Sequence, residues 1–118
     1  MSEFVFVYAT FPDLELAERV GAELVAERLA ACVNLIPGMR SIYAWQGAVE
    51  RASEVIAIVK TRGERSEAVM AAIRARHPYQ LPALVVLPVL AADPAYAAWL
   101  ADESSQAVED ADEPGGDS

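Results

Sequence analysis

The sequence is poor in the residues that most often carry chemistry. Among 118 residues there is one cysteine and one histidine. One cysteine, Cys32, excludes an internal disulfide and suits a reducing compartment. With no Cys-x-x-Cys pair and a single His, one chain's Cys and His cannot build a zinc site. No glycine-rich loop precedes a helix in the phosphate-binding pattern. There is no Gly-x-Ser-x-Gly elbow, and Ser66, at a helix start, has no His nearby in sequence. No apolar run is long enough to span a bilayer, and MSEFVFVYAT carries no secretory signal, so the expectation is a cytoplasmic protein with no membrane partner. Basic residues are also scarce: nine Lys and Arg face eighteen Asp and Glu. That balance excludes an electrostatic footprint for nucleic acid. No residue pattern argues for an enzyme.

What the chain does have is apolar content, 54% of its residues, and an uneven distribution of charge. The stretch from Asp102 to Ser118 holds seven acids and no base, against eleven acids and nine bases in the preceding 101 residues. Lacking aromatics and nearly all large apolar groups, this tail cannot offset its ordering entropy. The expected organisation is one folded domain over residues 1–101 and an acidic disordered tail over 102–118.

Periodicity divides the domain further. EFVFVYAT alternates without a polar face, as a strand covered on both sides does. Thr10 and Asp13 form a capping signal for a helix that runs to about Leu29, with Ala17, Val20, Gly21 and Leu24 in one stripe. Gly21 in that stripe predicts close approach to a sheet. The stretch ACVNLIPGMRSIYAWQGAVE (31–50) and its continuation to Thr61 read as two strands joined by a tight turn at Gln46-Gly47. Pro37-Gly38 should bulge the first arm. Both arms exceed the usual length of about 5–6 residues. Strand that outruns its own sheet must pair with something, so a symmetric homo-oligomer is expected. A second helix over about Glu64–Arg76 has a capping box in Thr61 and Glu64, and Pro78 ends it. A fourth strand spans about Ala83–Leu90. A last helix, Ala95–Ala101, opens on Asp93-Pro94 and should dock through Tyr96, Trp99 and Leu100. The order is β-α-β-β-α-β plus a C-terminal helix. That order predicts an α+β, ferredoxin-like sandwich with a long β2–β3 hairpin.

Few side chains compete for a functional role. His77 could coordinate copper or another divalent metal, or it could cap carbonyls at the helix end. Cys32, beside Val33 in an apolar strand, reads more readily as an inert thiol than as a ligand. Lys60, Arg62, Tyr79 and Gln80 could line a small-anion pocket or be scattered surface groups. Tyr43 and Trp45, near the hairpin tip, read as interface or core aromatics.

The blocks ACVNLIPGMRSIYAWQGAVE, SEVIAIVKTR, RHPYQLPALVVLPV and DPAYAAWL, in consistent order over residues 4–100, resemble the CutA divalent-cation tolerance proteins. The resemblance implies a tight homotrimer in which long hairpin strands pair between subunits, in an architecture similar to the PII signalling proteins. It also implies non-enzymatic involvement in the response to divalent metal ions, copper in particular. PII-like proteins bind small effectors in inter-subunit clefts, which makes Lys60, Arg62, Tyr79 and Gln80 the candidates for such a cleft and Tyr43 and Trp45 the candidates for the trimer interface. Some resembling members use as metal ligands a Cys late in the first strand, a His just before the His-Pro step and a Glu after the next Pro. Those positions here are Ala9, Arg76 and Ala83, which leaves His77 as the one metal-capable side chain of that neighbourhood. Gln80 stands where many members have Glu. A structural scaffold is the third reading, alongside the metal response and the small-molecule sensor.

Overall fold

In the computed structural model, which describes residues 3–105, a four-stranded antiparallel sheet carries two helices on one face and a third helix near one end. The strands are β1 (Phe4–Phe11), β2 (Cys32–Trp45), β3 (Ala48–Arg62) and β4 (Leu84–Pro88), in spatial order β2-β3-β1-β4. The helices are α1 (Leu14–Ala26), α2 (Ser66–Arg76) and α3 (Pro94–Glu103). Element order and strand order together are those of the ferredoxin-like βαββαβ arrangement.

Alternation along the strands separates two faces. Val5, Val7, Ala9 and Phe11 of β1 and Val55, Ala57 and Val59 of β3 are buried with Val20 and Leu24 of α1 and Val69 and Ile73 of α2. This is the main core. The opposite face carries Phe6 against Lys60, Tyr8 against Ile58 and Thr10 against Ile56, flanked by Ile36 of β2 and by Val85 and Leu87 of β4. Ile36, Val85 and Leu87 are exposed there. Helix α3 covers only one end of this face, where Leu100 packs with Phe4 and Ala31.

The hairpin is as long as the sequence suggests. Strand β1 accompanies β3 only from Val55 to Arg62, so Met39–Trp45 and Ala48–Glu54 pair with each other and with no other strand among the described residues. The molecule is accordingly elongated, 56 × 28 × 22 Å. The register shifts between Ile36 and Met39, where Pro37 cannot donate to the ladder and Gly38 takes φ 84°. At the tip Gln46 and Gly47 have φ 50° and 84°, the left-handed pair that a tight hairpin turn needs. Gly21 also behaves as its place in the stripe predicts: a β-carbon there would lie 3.2 Å from Val33 Cγ1.

Several boundaries differ from expectation. Thr10 lies within β1, and Asp13 is the N-cap of α1, its side chain accepting from Leu16 N at 2.8 Å. The same helix ends at Ala26, not Leu29. Arg28 adopts φ 60°, Leu29 N donates to Leu24 O and Arg28 N donates to Val25 O, which is a Schellman cap closed without glycine. Thr61 does not cap α2; it is fully buried in β3, with its hydroxyl on Leu29 O at 2.7 Å. A 3₁₀ turn over Gly63–Arg65 precedes α2 instead. Strand β4 is shorter than predicted, ending at Pro88 with Leu90 exposed. Helix α3 docks through Leu100, while Tyr96 and Trp99 stack on each other in the open at 5.7 Å.

The domain boundary also moves. Helix α3 reaches Glu103, Ser104 is buried with its hydroxyl on Leu100 O at 2.6 Å, and the Arg28 guanidinium donates to the carbonyls of Asp102 and Ser105. The fold therefore includes Asp102–Ser105, which the sequence reading gave to the tail. The rest of that expected disordered tail, 106–118, lies outside the described residues.

Candidate functional site

Where the hairpin leaves the sheet, one carboxylate is turned inward. Glu54 is the residue just past the last β1 partner of β3, Val55, and it faces Met39 immediately after the bulge in β2. Its residue exposure is only 8%. Burying a carboxylate is costly unless its oxygens accept hydrogen bonds. Here Ser41 Oγ donates to Oε1 at 2.6 Å and the Tyr79 hydroxyl donates to Oε2 at 3.0 Å. Ser41 is the diagonal neighbour of Glu54 across the β2–β3 ladder, which keeps the two on one face.

Tyr79 reaches Glu54 because the segment after α2 is held by His77. The following Pro78 disfavours helix, and His77 is extended at φ −94° and ψ 138°. Its Nδ1 accepts from Tyr79 N at 3.1 Å, so the proton sits on Nε2, which donates to Thr10 O at 2.7 Å. The imidazole stacks on Phe11 with centroids 4.9 Å apart. The phenol of Tyr79 is pushed up to about pKa 12, first by burial and then by its hydrogen bond to the Glu54 carboxylate.

These groups border a cavity of about 710 Å³ whose walls include Tyr8, Tyr43, Trp45, Tyr79, Gln80 and Glu54. That size is in the range of small-molecule sites, roughly 300–1,000 Å³. A second hollow of about 720 Å³ lies beyond His77, between the start of α1 and the end of α2, and is bordered by Asp13, Arg19 and Arg76.

The residues predicted to share a cleft divide into two pairs within one protomer. Tyr79 and Gln80 line the 710 Å³ cavity. Lys60 and Arg62 stand at the far end of β3, opposite Phe6 and Phe4. The Lys60 ammonium lies 3.2 Å from Tyr96 Oη and 5.5 Å from the ring centres of Phe6 and Tyr96, and Arg62 pairs with Glu64 at 3.6 Å. Tyr43 and Trp45 are exposed hairpin residues that wall the same cavity as Tyr79. Sequence reasoning passed over Glu54, Ser41 and Tyr8. Glu54 did carry a signal, because it shares a strand face with Ile56 and Ile58, where an acid is out of place.

A bound transition metal does not fit the residues of one protomer. Ala9 is buried in the core, and neither it nor Ala83 has a donor side chain. Arg76 is cationic and clamps α2 to α1 through Glu23 at 2.7 Å and Glu27 at 3.2 Å. Both His77 nitrogens serve backbone groups. Cys32 is half-buried opposite Lys60, with Asn34 Nδ2 at 3.6 Å from its sulfur. Among the described residues no three His, Cys, Asp or Glu side chains come together to hold a metal ion. None of the described helices is long and apolar enough to cross a membrane.

The family model described as CutA1 divalent ion tolerance protein matches residues 5–103. A divalent-cation tolerance protein CutA of Citrobacter koseri is 43% identical over 98 residues, covering 83% of this chain and 85% of that protein. The crystal structure of CutA from Xylella fastidiosa superposes with a TM-score of 0.86 at 38% identity, covering 88% of this chain and all of that one. A protein described as the periplasmic divalent cation tolerance protein CutA of Archaeoglobus fulgidus gives 0.84 at 35% identity, covering 86% of this chain and 99% of its own.

Proposed function

The chain belongs to the CutA1 divalent ion tolerance protein family, and from that premise we propose a non-enzymatic, cytoplasmic homotrimer that takes part in the response to divalent metal ions, with a PII-like arrangement of subunits. The observation that carries the assembly is the hairpin arm. Met39–Trp45 and Ala48–Glu54 run past the sheet with unpaired outer edges, and Ile42 and Val49 there are 68% and 66% exposed. An isolated two-stranded ribbon is marginal in water, so its length is explained by pairing with another copy. The open apolar face of the sheet supports the same reading. Sedimentation equilibrium of the full chain is expected to give three times the 12.7 kDa protomer mass. A folded monomer in dilute solution overturns the trimer. The cytoplasmic assignment rests on the single free thiol, Cys32, and cell fractionation tests it.

The family's description names divalent ions without specifying one; copper, which the sequence resemblance implies, is the metal to try first. For His77 to take it, Nδ1 must give up the Tyr79 amide or Nε2 the Thr10 carbonyl. Metal bound there therefore competes with the packing of the 77–79 segment. Cu(II) titration of the wild type and His77→Ala tests the role of that imidazole. Equal affinity in the two removes His77 from any copper site.

A second reading, a sensor for a small molecule, is favoured by one specific observation. The cavity beside Tyr79 and Gln80 has the volume and the aromatic walls of a ligand site. Lys60 and Arg62 would join it only across a subunit boundary. A scaffold role follows if neither metals nor small molecules bind.

A further inference from the structure

Strand β3 carries opposite charges at the two ends of its open face. Glu54, Ile56, Ile58 and Lys60 follow one another at every second residue, so all four lie on the side away from the main core. Among the described residues, no cation pairs with Glu54 and no acid pairs with Lys60 within 4 Å. Both groups keep bonding capacity. A carboxylate offers about four lone-pair positions, and Ser41 and Tyr79 occupy one on each oxygen. Lys60 gives one N–H to Tyr96 Oη and keeps the others. The two cannot satisfy each other within a protomer, because about 20 Å of strand separates them. Arg62, next on the same face, already has Glu64 at 3.6 Å.

Between the charged ends the face is apolar. Ile56 and Ile58 share it with Ile36, Val85 and Leu87, of which the last three are exposed. A buried acid at one end, a base without an acid at the other and an apolar strip between them make a surface that a second copy of the chain complements. We propose that in the assembly the Lys60 side chain of one copy enters the 710 Å³ cavity of the next, where its ammonium donates to Glu54 and its stem lies along the rings of Tyr8 and Tyr43. The neighbour thus supplies the counter-ion that Glu54 lacks in its own chain. Acid and base stand at opposite ends of the face, so each copy gives Lys60 to one neighbour and receives it from the other. That is the head-to-tail contact that closes a ring. The proposal rests on the homotrimer reading above and names the pair that seats one copy on the next.

A double-mutant cycle on the full chain tests the pair, because residues this far apart in one protomer act additively unless they meet across a boundary. Glu54→Gln, Lys60→Met and the double variant are compared by sedimentation equilibrium, in urea where the wild type does not dissociate in buffer. Each single variant leaves one charge enclosed and unpaired, and it is expected to raise the half-dissociation concentration at least tenfold. Removing both charges avoids that cost, so the double variant should dissociate no more readily than Lys60→Met alone. Arg62→Met serves as the control and should combine additively with Glu54→Gln. If Glu54→Gln does not fold, Glu54→Asp, which keeps the charge but shortens its reach, takes its place in the cycle. Additive effects of the Glu54 and Lys60 variants in a chain that still forms a trimer overturn the pair and leave the trimer standing. Coupling of Glu54 to Arg62 instead overturns the assignment to Lys60. A wild type that is monomeric overturns the trimer and the pair together, whereas coupling in an assembly of another size supports the pair and overturns the trimer.

Discussion

The Tyr79 hydroxyl donates to Oε2 of Glu54 at 3.0 Å, joining the segment after α2 to the base of the hairpin. The contact couples two elements that share no strand pairing. It places an aromatic ring and a carboxylate on one cavity wall, and it ties the phenol's ionisation to the folded state.

That last link gives a pH dependence with a definite sign. The Tyr79 phenol titrates near 12 in the folded protein and near 10 when unfolded. Between those values the unfolded chain releases its proton and the folded chain keeps it, so stability falls as pH rises. The contribution should be complete below pH 10 and gone above pH 12. Tyrosinate absorbance is expected to show Tyr79 titrating late, and Tyr79→Phe should lack that late transition. At neutral pH the same substitution should cost about 1–2 kcal/mol in denaturant unfolding, the scale of a partly solvated hydrogen bond to a charged group.

At the hairpin tip the cost is in the backbone alone. A β-carbon on Gly47 would meet no atom within 4 Å, yet its φ is 84°. Gly47→Val should therefore destabilise the protein by about 1–2 kcal/mol without any clash. Gly47→Asn should recover most of the loss, because Asn tolerates the left-handed region. Equal unfolding midpoints for the Val and Asn variants would contradict this account.

Gly21 is the opposite case, with helical backbone and no room. Val33 Cγ1 would stand 3.2 Å from an added β-carbon. Gly21→Val should push α1 off β2 and cost about 1–3 kcal/mol, the scale of core overpacking. Gly21→Ala should fall well short of the stabilisation of about 1 kcal/mol that helix propensity alone would give. A full gain in urea unfolding would mean that Val33 yields freely.

Two truncations separate the fold from its acidic extension. Ending the chain after Ala101 removes buried Ser104 and the two carbonyls that Arg28 holds. The loss should be about 1–3 kcal/mol and lower the thermal midpoint. Ending it after Ser105 keeps these contacts and should leave the midpoint within a degree or two. Similar midpoints for the two truncations would return the boundary to Ala101.

Much of this architecture was legible without coordinates, because it depends on neighbours in sequence. Apolar alternation marked β1 and β3, and helical spacing marked α1 and α2. Asp93-Pro94 announced α3, and its side chain does accept from Ala95 N and Tyr96 N. Pro37-Gly38 marked the bulge for a local reason, the missing donor and the permissive glycine. The errors share a cause as well. Thr10 and Thr61 have the spacing of caps but are drawn into strands, where tertiary packing outweighs a local hydrogen bond. Arg28 ends α1 in a conformation that sequence assigns to glycine, while its guanidinium reaches carbonyls 74 and 77 residues away.

The sequence by itself determined the order of elements, the excess length of the hairpin and the scarcity of reactive side chains. Those follow from periodicity, turn chemistry and composition, each readable within a few residues. Only the tertiary structure decided which polar groups meet. Glu54 is 13 residues from Ser41 and 25 from Tyr79, and the sheet register together with the His77 clamp closes both gaps. The same register keeps Lys60 and Arg62 at the far end of β3. Side chains separated by whole elements converge only when the sheet fixes their spacing, which is why the hairpin could be read in advance and the pocket at its base could not.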